Sequence, residues 1–69
     1  MMKGKVSRFE EGSFYLTLDR GQECWFDKLD ETAVEVGDVV TGNLWAYGSQ
    51  ELFNTTKSQS FKAFMEGHR

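Results

Sequence analysis

The sequence predicts an all-β fold, a small five-stranded antiparallel barrel, and three observations carry that expectation. Polar and apolar residues alternate in five short runs, Lys3–Phe9, Ser13–Asp19, Glu23–Leu29, Val39–Tyr47 and Glu51–Thr55. Glu11-Gly12, Arg20-Gly21, Val36-Gly37-Asp38 and Gly48-Ser49 cut these runs apart, and short strands so spaced hide their edges only by rolling up. The chain has 69 residues, which makes residues 1–69 one domain, near the lower size limit of independent stability.

The runs are justified in order by their period of two. The first gathers Lys3, Lys5 and Arg8 into a basic corner around Val6. In the second, Phe14, Leu16 and Leu18 alternate with Tyr15 and Thr17. The aliphatic set belongs inside, so Tyr15 faces out. In the third, Cys24 and Phe26 share one face and Trp25 and Asp27 the other. A carboxylate resists unpaired burial, so Trp25 also faces out. Asp30–Asp38 is too short and acidic to bury much, and Asp30 or Thr32 could cap one helical turn there.

In the fourth run Val40, Gly42, Leu44 and Ala46 face in, Trp45 and Tyr47 face out, and Gly42 marks a kink or bulge. The expected core is Val6, Phe14, Leu16, Leu18, Cys24, Phe26, Val40, Leu44 and Leu52. The tail admits two readings. Thr56-Lys57-Ser58-Gln59 matches a capping box, and Phe61, Phe64, Met65 and His68 follow at helical spacing. This favours a C-terminal helix over 57–67. The rival is a strand with Phe61, Ala63 and Met65 on one face.

Composition narrows the function. Eight bases stand against eleven acids for a net charge of −3, which argues against strong non-specific nucleic-acid binding, since counterion release needs Lys and Arg at phosphates. One cysteine forms no internal disulfide. No apolar run resembles a signal peptide or a span of about 20 residues, so a cytoplasmic location away from membranes is expected. Cys24 and His68 are the only residues of their kinds; alternation points Cys24 inward, which leaves no catalytic pair and no zinc site. Neither metal nor other cofactor is expected.

Several segments resemble the cold-shock domain, a small five-stranded barrel of the OB type. Gly4-Lys5-Val6-Ser7-Arg8-Phe9 is similar to that family's opening G-x-V-K-W-F. Ser13–Leu18 stands in the place of K-G-F-G-F-I, and Glu23–Lys28 in that of D-V-F-V-H-F. Val36-Gly37-Asp38-Val39-Val40 resembles E-G-x-x-V, and also the G-D-x-V of S1-type domains. The match covers about residues 4–46 with few identities. It implies that outward aromatics of the second and third strands stack against unpaired bases, each contact contributing roughly 1–3 kcal/mol. Tyr15 and Trp25 keep that character. Arg8, Thr17 and Lys28 replace aromatics and Asp27 replaces a histidine, where it would repel phosphate.

The expected function is non-catalytic: weak binding of single-stranded RNA or DNA through Lys5, Arg8, Tyr15, Trp25 and Lys28, by a monomer or weak homodimer. The alternative is an acidic protein-interaction module, without nucleic-acid binding, that uses Asp27, Asp30, Glu31, Glu35 and Asp38 or a Trp45/Tyr47 patch.

Overall fold

The computed structural model describes residues 2–69 and contains six strands: β1 (Met2–Glu10), β2 (Ser13–Leu18), β3 (Glu23–Lys28), β4 (Val39–Gly42), β5 (Gly48–Asn54) and β6 (Gln59–His68). They close into an antiparallel barrel in the order β1-β2-β3-β6-β5-β4, with β4 returning to β1. A small closed all-β barrel is what the alternation predicts, and it agrees with the OB type in general. The strand count is six, not five.

The nine expected core residues are all buried, joined by Val34, Phe61, Ala63 and Met65. Phe14 lies at the centre, stacked on Phe26 and edge-on to Phe61, each with centroids 5.7 Å apart. β1 and β2 join through Glu11 and Gly12, both at positive φ (51° and 87°). This primed two-residue turn matches the twist of the flanking strands. β4 stops at Gly42, short of the expected Tyr47. The chain re-enters the sheet at Gly48, where Gln50 Nε2 donates to the Ala46 carbonyl at 3.0 Å and steadies the intervening loop.

The helix expected over 57–67 is absent; from Gln59 on, that segment belongs to β6, the longest strand of the barrel. β6 pairs with β3 on one side and β5 on the other. Without it both strands would present an open edge, a defect that a local helical period cannot mend. Phe61, Ala63 and Met65 point inward and Phe64 outward, as the strand reading requires. Thr56 does accept a backbone N–H, but from Val39 on the neighbouring strand β4, at 2.9 Å. Thr55–Ser58 form the hairpin turn, with Ser58 at φ 53°.

Residues 29–38 form an irregular strap rather than a helical turn. The strap is tied to β1 by Val6 N–H donating to Asp38 O and Gly37 N–H donating to Val6 O. Its anchor is Asp38, 4% exposed beside the fully buried Asn54. Asp38 Oδ2 accepts from Lys57 Nζ (2.6 Å), Asn54 Nδ2 (2.8 Å) and Glu35 N–H (2.9 Å). Burial pushes its carboxyl toward the neutral form; the donors from Lys57, Asn54 and Glu35 outweigh that and hold it below the ordinary range.

Candidate functional site

One row of side chains crosses the outer sheet from β1 to β6. Arg8 faces Tyr15, Tyr15 faces Trp25, and Trp25 faces Gly67. Each end of the row is set by a bulge. On β1 the register slips between Val6 and Arg8, so Ser7 is the extra residue and Arg8 turns outward. On β6 the slip leaves Glu66 as the extra residue, between Met65 opposite Phe26 and Gly67 opposite Trp25. Bulges re-aim side chains in this way, and two of them frame this one row.

The rings of Tyr15 and Trp25 stack with centroids 5.2 Å apart and planes 23° from parallel. Trp25 lies across Gly67 so closely that a Cβ there would sit 2.5 Å from Trp25 Cζ2. The glycine is what lets the indole settle on the sheet. The Arg8 guanidinium sits 4.0 Å from the Tyr15 ring centroid, and that of Arg69 5.2 Å from the Trp25 ring. Both contacts are within cation–π range.

Glu23 ties the two arginines together. Its carboxylate receives Arg8 Nη1 at 2.5 Å and Arg69 Nη2 at 2.6 Å, and Glu10 also binds Arg8. The Arg8 hydrogen bond, reinforced by both positive charges against a desolvation cost, holds the Glu23 carboxyl below the usual range. Hydrogen bonds to Glu23 and then Glu10 hold Arg8 firmly protonated. The row is thus an aromatic shelf of two mutually stacked rings with a guanidinium over each.

The expected site residues divide. Arg8, Tyr15 and Trp25 come together in the row. Lys5 stands exposed one row away, opposite Thr17 and Val39. Lys28 leaves the shelf: it continues the Cys24–Phe26 side of β3, pairs in register with the buried Ala63, and donates to the Thr32 carbonyl at 2.7 Å. Arg69, Glu23, Glu66 and Gly67 were outside the sequence-based set. Arg69 is recognisable only once β6 is a strand, since its backbone exchanges two hydrogen bonds with Glu23.

The acidic strap changes meaning too. Asp38 is buried in its own ion pair, Glu35 pairs with Lys57, and Asp30 accepts from the backbone N–H of Thr32 and Lys62. These carboxylates fasten the strap. Trp45 packs against the core and the His68 ring, 4.0 Å between centroids, with Tyr47 on His68 at 5.2 Å.

Cys24 and His68 are register partners, yet the thiol is fully buried. Burial first, and the Glu23 charge second, push it up to about 12, the reverse of what a nucleophile needs. Among the described residues no group of three or more His, Cys, Asp or Glu is arranged to hold a metal ion, and no helix is long and apolar enough to cross a membrane. Comparison with protein-family models, curated proteins and solved structures finds no match to this chain.

Proposed function

We propose that this barrel is a non-catalytic, cytoplasmic binding protein of the cold-shock-like OB type that holds single-stranded RNA or DNA weakly on the Arg8–Tyr15–Trp25 row. The observation that carries the reading is the stacked Tyr15–Trp25 pair, lying outward with a guanidinium over each ring. An unpaired base offers such a shelf a second π-face, and a stacking platform accepts any base. Arg8 and Arg69 would swing from the rings toward the phosphates that flank the stacked base. Their tether to Glu23 must loosen for this, and Glu10 and Asp27 stand nearby as like charges for the phosphate. Both effects make the binding weak and salt-sensitive.

The test is a fluorescence titration with mixed-sequence single-stranded oligonucleotides, in a Trp45→Phe background so that Trp25 reports alone. Quenching should saturate at low salt and weaken as salt rises. Trp25→Ala should remove most of the affinity seen by chemical-shift mapping. Arg8→Ala should weaken binding and flatten its salt dependence. No response of the Tyr15 and Trp25 amides at low salt would end this reading.

A further inference from the structure

The outer surface of the barrel carries a second face, on β3, β6 and β5, whose chemistry differs from the shelf. Two adjacent rows cross it: Asp27 opposite Phe64 opposite Ser49, and Leu29 opposite Lys62 opposite Glu51. Phe64 is 40% exposed and Leu29 52% exposed. They are diagonal neighbours on one face, a spacing of roughly 7–8 Å that large side chains bridge. Beside them runs a shallow groove of about 360 Å³ lined by Leu29, Ser49, Gln50, Glu51 and Lys62.

The charge around this apolar pair is lopsided. Glu66, thrown outward by its bulge, lies against Asp27, and the hydrogen bond, desolvation and like charge there hold the Glu66 carboxyl above its ordinary value. Glu51 borders the other side. Among the described residues none of Asp27, Glu51 and Glu66 is ion-paired. Lys62 is the one base in these two rows. Scattered exposed apolar residues need no explanation; an adjacent Phe and Leu bordered by three unpaired carboxylates is a different surface.

We propose that this face docks a basic, apolar segment of another protein. A large aliphatic side chain would lie between Phe64 and Leu29. A Lys or Arg would place its ammonium or guanidinium between Asp27 and Glu66, its stem along the Phe64 ring. Leu29 follows the end of β3 and keeps its pairing with β6 through its N–H to the Lys62 carbonyl. Asp27 and Leu29 therefore lie about 6.6 Å apart at 3.3 Å per residue, and the segment is extended with its basic and apolar residues two apart. β6 is paired on both edges, so docking proceeds through side chains rather than by strand addition. The uncompensated charge selects the occupant. A second copy, also at net −3, would bring the same carboxylates face to face, and a nucleic acid would meet them with phosphates.

The test is chemical-shift mapping with a synthetic peptide of Lys-Ser-Leu-Ser repeats and its counterpart with Glu in place of Lys. The basic peptide should shift the amides of Leu29, Glu51, Phe64 and Glu66, and its affinity should fall about tenfold at raised salt. The acidic peptide should leave them unmoved. Phe64→Ser, and separately Asp27→Asn with Glu66→Gln, should each weaken the basic peptide about fivefold or more, with the melting temperature checked in parallel. The proposal is overturned if the basic peptide leaves these amides still, or binds the carboxylate variant as well as the parent. It is equally overturned if sedimentation shows a dimer that Phe64→Ser dissolves, or if an oligonucleotide shifts these four amides. The shelf can fail its own titration without touching this result, because the probes and reporting amides differ.

Discussion

Glu23 and Asp38 are the same device in two settings. Each carboxylate gathers a cation and a second donor: Glu23 holds Arg8 and Arg69, and Asp38 holds Lys57 and Asn54. Glu23 does so on the outer sheet, its side chain 15% exposed and those of Arg8 and Arg69 37% and 66%. Asp38 does so at the end of the strap, its side chain 6% exposed and that of Lys57 27%, with Asn54 fully buried. Water decides the consequence. On the surface the partners exchange cheaply, which is what a binding site needs. In the interior a lost partner leaves a charge unsolvated, which is what a fastening needs.

The largest expected effect breaks that comparison if it fails. Asp38→Ala should destabilise the barrel by about 3 kcal/mol, because it strands the buried Asn54 amide and removes the acceptor that holds Lys57 and the Glu35 N–H. Glu23→Gln should barely move the midpoint. Urea unfolding of both variants measures the difference; equal losses would mean that burial does not separate the two centres. The pH dependence follows with a definite sign. Asp38 is depressed in the folded state, so its stabilisation is complete above its unfolded value near 4 and is lost as pH falls through the lower folded value. Asp38→Asn should remove that part of the acid unfolding slope.

A middle-sized effect tests the shelf alone. Gly67→Ala puts a methyl into the indole of Trp25, and the ring is the part free to yield. Trp25 should lose its stack on Tyr15, its emission should shift to the red, and the melting temperature should fall modestly. Oligonucleotide binding, if it uses the shelf, should fall with the stack. Unchanged emission would show that the close approach is not what seats the ring.

These centres were unequally legible in the sequence. The core followed from alternation because each inward residue is fixed by its nearest neighbours in the chain. The shelf did not follow from alternation alone. Counting from the buried Val6, a period of two points Arg8 inward, and the bulge at Ser7 reverses it; the resemblance to the cold-shock opening had Arg8 on the right face. For Lys28 the outcome is opposite. Alternation from Cys24 and Phe26 turns it away from the shelf, as observed, whereas the resemblance kept it there. The tail misled because Phe61, Phe64 and Met65 satisfy a helical period while Phe61, Ala63 and Met65 satisfy a strand. The deciding terms were the edges of β3 and β5, which lie far away in sequence. Gly67, Glu66 and Arg69 were lost with that choice.

The smallest effect sharpens the comparison between the two outer faces, because Asp27 borders both. It follows Trp25 on the outer side of β3, accepts from Ser13 Oγ at 2.6 Å, and lies against Glu66. Asp27→Asn keeps the size and the ability to accept from Ser13 while removing one negative charge. On the shelf side that charge opposes a phosphate, so the variant should bind oligonucleotides about two- to threefold more tightly, with the gain shrinking as salt screens it. On the β5–β6 side the same charge attracts a basic segment, so the Lys-bearing peptide should bind more weakly by a similar factor. One substitution with opposite signs on two ligands is hard to produce through altered folding, which would weaken both. Should both affinities move in the same direction, Asp27 is acting through the sheet rather than through its charge, and the two faces are not electrostatically distinct.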